Sequence, residues 1–404
     1  MKKQVLIFRC TILNDMINQK HLFALEEGIT YLNGAAYGPM LRTSIEKGTE
    51  GMLLKAERPF TINPHSHFEP AERVQHLFAR LLNIDNPQRV AIITAVSYGM
   101  AVVANNLHRL PNIEAKKHII QIQDEFPNNV YAFERVSKQL SLTYHTIARP
   151  DVLENRGQIW NERILNAISH ETAMVVVPHV HWIYGVKFNL EAISKRCKEV
   201  GALMVVDGTQ SVGAMDFDVQ AIQPDAVICA GYKWLLGPYS IGLAYFGAFF
   251  DEGVPVEESW LNRMNSENFS QLIKYERAYR PFAQRYNAGE YSQFINLPML
   301  EDSLTQILDW GVNNIQEYCK QITQKPLEAL VSMGCSLETE AYRGHHLLGI
   351  SLPQGVDNAG FTEQLLSNKI IISNRGVAIR VSPNVYNTEA DMWALVEVLE
   401  KSLG

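Results

Sequence analysis

Asp207 and Lys233 lie 26 residues apart, and each stands at the end of a short apolar run. Leu203–Val206 leads into Asp207-Gly208-Thr209-Gln210, and Ala226–Ala230 leads into Gly231-Tyr232-Lys233-Trp234. In open α/β sheets, side chains at the carboxyl ends of strands face the crevice where ligands bind. Two more runs end in the same manner. Val90–Ala95 passes into Val96-Ser97-Tyr98-Gly99 and a helical run over Met100–Leu107. A helix start of that kind offers backbone N–H groups and a hydroxyl to an anion. His118–Ile122 passes into Asp124-Glu125-Phe126-Pro127-Asn128-Asn129, which puts an aromatic ring at the same rim. Taken singly, these features also suit a surface Asp–Lys pair, a plain N-cap and a core phenylalanine. Together they meet the needs of pyridoxal 5′-phosphate (PLP). Its phosphate needs the helix start, and its ring can stack on Phe126. Its pyridine nitrogen keeps a proton beside a buried carboxylate such as Asp207, and its aldehyde condenses with an amine such as that of Lys233.

The elements that must position these residues are read from periodicity. Six candidate strands, Val90–Ala95, His118–Ile122, Met174–Val177, Leu203–Val206, Ala226–Ala230 and Ile241–Phe246, are rich in Val and Ile and not strictly alternating. That pattern predicts an α/β fold with a mainly parallel central sheet between helices. Asn189 is the expected N-cap of a helix with apolar stripe Leu190, Ile193, Cys197 and Val200, stopped by Gly201. After about residue 250, Gly253-Val254-Pro255 and Asn262–Ser270 read as loops, and Arg280-Pro281 as a boundary. Helical periodicity returns around Leu297–Tyr318, and a last helix is expected from about Glu389. The expected division is a large domain over 20–280 and a smaller α+β domain over 281–404, joined by the N-terminal segment 1–19.

Composition narrows the function classes. The 404 residues are 47% hydrophobic and 20% charged, as in an ordinary globular protein that builds its core without disulfides. A net charge of −7 argues against a nucleic-acid partner. Cys10, Cys197, Cys229, Cys319 and Cys335 are odd in number and form no C-x-x-C, which favours a reducing cytoplasm over a disulfide framework or zinc ribbon. No apolar run approaches the roughly 20 residues that span a bilayer. Met1-Lys2-Lys3 followed by Val5–Leu13 faintly resembles a signal sequence, but Arg9 breaks it and no small-residue cleavage site follows.

At these motifs the sequence resembles the class V aminotransferase group of fold type I PLP enzymes, which includes cysteine desulfurases, kynureninases and isopenicillin N epimerase-like proteins. The resemblance runs from about residue 20 to the C-terminus. It is carried by Tyr31-Leu32-Asn33-Gly34-Ala35-Ala36, by Asp207–Gln210, by Gly231-Tyr232-Lys233-Trp234-Leu235-Leu236-Gly237-Pro238 and by Arg380-Val381-Ser382-Pro383-Asn384-Val385-Tyr386-Asn387-Thr388. It implies the PLP-dependent transferase fold type I and the following roles. Lys233 matches the Schiff-base lysine, Asp207 the partner of the pyridine nitrogen, and Gln210 the donor to the ring oxygen. Ser97, with the backbone of Val96, falls on the phosphate site, as does Tyr232, and Phe126 takes the stacking position. Arg380 matches the arginine that grips the substrate α-carboxylate, and Asn33 and Trp182 fall in the substrate pocket. Ala288-Gly289-Glu290-Tyr291-Ser292-Gln293 matches a loop that reaches a neighbouring subunit's phosphate through Ser292 or Gln293, which implies a homodimer with shared active sites.

The departures are as informative. Desulfurases carry a nucleophilic Cys shortly before the carboxylate-binding arginine, whereas Ile370–Ile379 has none and Cys335 lies 45 residues before Arg380. The family's Asn near the ring oxygen is replaced around His181-Trp182, and Ala230 stands for a phosphate-binding hydroxyl. The expected activity is therefore chemistry at the Cα of an amino acid, with aminotransferase first, lyase or epimerase next and cysteine desulfurase disfavoured. A PLP-fold binding module without catalysis is a further alternative. A nicotinamide-dependent oxidoreductase lacks its G-x-G-x-x-G. His179 and His181, like His65 and His67, have strand spacing, and His345-His346 reads as a surface pair; no convincing third ligand accompanies them, so no metal is expected. Arg375 reads equally as a second anion clamp or a solvated turn residue, and Trp182 equally as packing or pocket wall.

Overall fold

The computed structural model describes residues 16–375 and 378–403. Residues 1–15 lie outside it, and with them the Met1–Leu13 run and most of the expected joining segment. In chain order the strands are β1 (Thr30–Tyr31), β2 (Val90–Ile93), β3 (His118–Ile122), β4 (Thr143–Ile147), β5 (Thr172–Pro178), β6 (Leu203–Asp207), β7 (Ala226–Ala230), β8 (Gly242–Phe246), β9 (Leu348–Ile350), β10 (Ile370–Ile371), β11 (Ser373–Arg375) and β12 (Ala378–Val381). The α-helices are α1 (Arg42–Glu57), α2 (Pro64–Leu81), α3 (Val96–Asn106), α4 (Tyr131–Gln139), α5 (Arg156–Ala167), α6 (Leu190–Val200), α7 (Val219–Ile222), α8 (Asn296–Trp310), α9 (Val312–Ser332), α10 (Asn358–Ser367) and α11 (Glu389–Leu403).

Seven strands form the main sheet in the order β2-β8-β7-β6-β5-β3-β4. The pairs from β7 to β4 are parallel, and β8 runs antiparallel to both β7 and β2. The central strands are apolar throughout because helices cover both faces. Alternation still sorts their residues. Val175, Val177, Met204, Val206, Val227 and Cys229 enter one core, with Ile193 and Cys197 of α6 and Trp160 of α5. Val176, Val205, Ala226 and Ile228 enter the other, with Met100 and Val103 of α3 and Phe133 of α4. The result is a three-layer α/β sandwich whose strand carboxyl ends share one rim.

All six expected strands are present. The seventh, β4, was not expected: it is an edge strand whose Thr143, His145 and Thr146 are exposed, so its sequence carries no apolar run. The opposite edge is covered, as Asn287 Oδ1 accepts from the Ile92 N–H at 2.7 Å and Ala288 N–H donates to the Ile92 carbonyl at 2.9 Å. The α6 signals hold in detail: the Asn189 side chain caps Ala192 N–H, and Gly201 ends the helix at φ +66°. The helical stretch around Leu297–Tyr318 is two helices rather than one, broken at Gly311, whose φ of +76° a non-glycine residue rarely adopts.

A second, three-stranded sheet, β11-β12-β9, is antiparallel, and β1 pairs in parallel with β10. Leu32, next to β1, is buried among Leu348, Ile370, Ile379, Val381 and Met392. Tyr31 beside it packs against the core of the main sheet, so this segment ties the two cores together.

One contact links the fold to that rim. Gly38 N–H donates to the Tyr232 carbonyl at 2.9 Å, and a Cβ at Gly38 would stand 2.0 Å from the Lys233 carbonyl oxygen. That neighbour is backbone and has no room to retreat. Gly38→Ala is expected to destabilise the protein by about 3 kcal/mol and to disturb Lys233 at the same time. Chemical denaturation checks the first effect, and an unchanged midpoint would show that the Gly38 and Lys233 backbones separate freely.

Candidate functional site

Strand termini β2, β3, β5, β6 and β7 converge on one cleft, lined among others by Val96, Glu125, Phe126, Trp182, Asp207, Gln210, Tyr232 and Lys233. Asp207 is the last residue of β6, and Lys233 follows the end of β7. Both are buried, at 7% and 8% exposure, in the same cleft, yet they form no ion pair. The Asp207 carboxylate is held inside the chain: Oδ1 accepts from Thr209 N–H at 2.9 Å and Oδ2 from the Asn129 amide at 2.7 Å. Burial lowers the Lys233 pKa to about 8; Asp207 opposes this, and Arg380 and Arg375 reinforce it. Near neutral pH a useful share of this amine is thus uncharged and able to act as nucleophile or base.

The remaining walls fit a flat, anionic ligand. The Lys233 Nζ lies 5.3 Å from the Phe126 ring centroid and 5.7 Å from that of Tyr232. Trp182 stands edge-on to Phe126, centroids 5.4 Å apart, and its indole N–H donates to the Asp124 carbonyl at 2.7 Å. Val96 and Ser97 open α3, so their N–H groups have no carbonyl one turn back and are free for an anion. Val96 lines the cleft, and Ser97 is exposed beside it. Burial raises the Tyr232 phenol to about 12, which keeps it a donor; it packs with Tyr37 and Tyr239. A carboxylate fixed by two donors, an amine not paired with it and an aromatic ring beside the amine match the donor set of pyridoxal phosphate.

Gln210 is oriented by its neighbours. An indole N–H can only donate, so the Trp234 contact at 2.9 Å identifies the Gln210 amide oxygen. The amide nitrogen then donates to the Ala35 carbonyl at 3.1 Å and keeps a second hydrogen. Behind it His346 is fully buried, a correction to its reading as half of a surface pair. Its Nδ1 faces the Gln316 amide at 2.9 Å and its Nε2 the Gln210 carbonyl at 2.7 Å. Burial lowers its pKa to about 4, so it braces Gln210 as a neutral ring.

Arg380, on β12, donates from Nη1 to the Trp182 carbonyl at 2.9 Å and from Nη2 to Ser373 Oγ at 3.4 Å. Ser373 in turn donates to Asn33 Oδ1 at 2.6 Å, so Asn33 reaches Arg380 through a hydroxyl. Ser292 and Gln293 do not line the Lys233 cleft of the same chain. The Ser292 hydroxyl meets His67 Nδ1 at 2.9 Å, and Gln293 accepts from the Asn296 amide at 2.5 Å. At the His181 position the ring is structural: Nδ1 accepts from Ile183 and Tyr184 N–H, and Nε2 faces the Gln123 carbonyl. Thr209 supplies a hydroxyl where Ala230 lacks one, accepting from Ala230 N–H at 3.2 Å. Among the described residues no group of three or more His, Cys, Asp or Glu is arranged to hold a metal ion.

Two residues were not anticipated. Asn129 bridges Asp207 and Glu125, donating to Glu125 Oε1 at 3.2 Å, and Phe126 N–H donates to the same oxygen at 2.6 Å. Glu125 Oε2 is buried without a partner. The available signal was Glu125 and Asn129 four residues apart around Phe126, a spacing that lets a turn fold one side chain onto the other.

Against known proteins, the sequence model of the family described as Aminotransferase class-V matches residues 65–395. An uncharacterized aminotransferase of Bacillus subtilis, YcbU, is 26% identical over 340 residues, covering 83% of this chain and 85% of its own. Isopenicillin N epimerase of Amycolatopsis lactamdurans is 24% identical over 412 residues, covering 95% and 98%. Among solved structures, a C-DES mutant with glycine covalently linked to its PLP cofactor superposes with a TM-score of 0.80 at 18% identity, covering 94% of this chain and 98% of that one. The last likeness establishes a shared fold.

Burial, then the Asp207 charge, raises the Glu125 pKa from 4.5 to about 8. Between those values the folded chain binds more protons than the unfolded one, so stability falls as pH rises, by up to roughly 1.4 kcal/mol per pH unit. Glu125→Gln removes this component. Melting of the two cofactor-free proteins from pH 4.5 to 8 should show the variant gaining steadily on the wild type, whereas parallel profiles would show that Glu125 is not neutral.

Proposed function

We propose a function from one premise: the chain belongs to the class-V aminotransferase family. Membership implies pyridoxal 5′-phosphate as the cofactor. On our reading the protein acts at the Cα of an amino acid and transfers its amino group. The observation that carries this reading is a buried Lys233 amine that has no hydrogen-bond partner among the described residues and shares one cleft with Asp207.

Asp207 is the residue to keep the pyridine nitrogen protonated, Phe126 to cover the ring, and the spare Gln210 hydrogen to reach the ring oxygen. Val96, Ser97 and Tyr232 are the residues to hold the phosphate. When bound, the cofactor supplies the electron sink that makes Cα–H cleavage possible. Lys233, neutral in good part near pH 8, takes the Cα proton as a positioned base. Arg380 offers the α-carboxylate a pair of parallel N–H donors and so fixes Cα relative to that amine.

One amine that takes a proton at Cα and returns it one carbon away is enough for amino-group transfer. Inversion needs a second proton carrier on the opposite face, and the epimerase relative, matched over nearly its whole length, keeps that reading second. Persulfide chemistry is disfavoured because Ile370–Ile379 holds no cysteine and Cys335 is buried, its thiol raised to about 11. The same reading places the protein in the cytoplasm as a homodimer. Residues 20–280 form the large domain and 281–404 the small one, and Ser292 or Gln293 meets the partner's phosphate site.

The test is turnover of an amino-acid panel with a keto-acid acceptor by the PLP-loaded protein. Keto acid in proportion to new amino acid is expected, with a loss of at least about 10³-fold in Lys233→Ala. Borohydride should fix the cofactor on the Lys233 peptide. Racemised amino acid without keto acid would replace aminotransferase by epimerase, and full activity in Lys233→Ala would remove its role as base.

A further inference from the structure

The hairpin of β11 and β12 pairs Ser373 with Arg380, Asn374 with Ile379 and Arg375 with Ala378. Side chains alternate across a strand, so Ser373, Arg375, Ala378 and Arg380 share one face. Two guanidinium groups therefore lie on the same side of the hairpin, diagonal to each other. Trp182 stands against both. Its carbonyl accepts from Arg380, and its ring centroid lies 5.8 Å from the Arg375 guanidinium carbon. Through Trp182 the pair borders Phe126 and the Lys233 amine.

Among the described residues no carboxylate forms an ion pair with either arginine. Their neighbours are neutral: the Trp182 carbonyl, Ser373 Oγ and, for Arg375, the Asn374 carbonyl. The Nε atoms of both are buried without a partner. Arg380 is 2% exposed, and burial, then the Arg375 charge, depresses its pKa. Both charges also depress Lys233. A buried cation, Arg380, beside a half-buried one, Arg375, with no counter-charge among the described residues is expensive, and a bound anion resolves that expense. One carboxylate matches one guanidinium. The second guanidinium calls for a second acidic group on the same molecule.

We propose that the substrate is a dicarboxylic amino acid, with its α-carboxylate on Arg380 and its distal carboxylate on Arg375, the Trp182 indole forming the wall between them. The proposal rests on the preceding reading only in taking Arg380 as the α-carboxylate site. It makes Arg375 a specificity-determining residue and resolves the choice between anion clamp and turn residue.

The experiment titrates the PLP-loaded protein with glutarate and with butyrate, which differ by one acidic group, and follows cofactor absorbance and tryptophan emission. In the wild type glutarate should bind at least tenfold more tightly. In Arg375→Met the ratio should fall to within about twofold, and Arg375→Lys should restore part of it. Equal affinity for the two acids in the wild type overturns the proposal, and so does a ratio that survives in a folded Arg375→Met. Arg380→Met separates the two readings, since it should weaken both acids together. If it leaves both unchanged, the α-carboxylate assignment fails whatever the ratio.

Discussion

Asp207 and Lys233, an acid and a base, share one buried cleft and form no ion pair. Two such groups gain by closing to a salt bridge unless something else holds them. Here Asp207 is committed to Thr209 N–H and the Asn129 amide, which satisfy it without the lysine. The lysine amine is left desolvated and partner-free, and its lowered pKa follows from that. The space between them is the candidate site. Asn129, which also bonds Glu125, and the turn at Thr209 hold the carboxylate independently of the amine.

The parallel core of the sheet explains why these groups meet. β5, β6 and β7 point the same way, so their carboxyl ends deliver His179, Asp207 and the Gly231–Lys233 turn to a common rim. The hydrophobic cores on the two faces make that rim stiff, because each strand is packed from both sides. The two arginines proposed to take the substrate, Arg375 and Arg380, come from the other sheet. Asn33, just beyond β1, accepts from Ser373, and Ala35 two residues on accepts from Gln210, so this segment couples the two sheets.

Much of this was legible in the sequence, for physical reasons that can be named. Central strands buried on both faces must be Val- and Ile-rich, so six of seven declared themselves. β4 did not, because an exposed edge strand may be polar. That Asp207, Lys233, Phe126 and Gln210 share one cleft was legible because their residue types stand at strand ends and in known motifs. Glu125, Asn129 and His346 were not, because their parts are played through other side chains. His346 sets Gln210 from behind through the Gln210 backbone carbonyl, and nothing in a His-His pair tells a buried ring from an exposed one. The break at Gly311 shows the same limit, since helical periodicity runs through a glycine whose positive φ only the backbone reveals.

The clamping of the peptide around Lys233 has a mechanical consequence. Its carbonyl abuts Gly38, the preceding carbonyl accepts from Gly38 N–H, and the following residue, Trp234, is pinned by Gln210 and abuts Gly213. The anchor is stationary, and only the four-carbon tether can swing. An arm on a fixed pivot sweeps a single arc and approaches from one side. On the proposed role of Lys233 as base, the face from which a proton is taken or returned is then set by the clamped peptide rather than by the side chain.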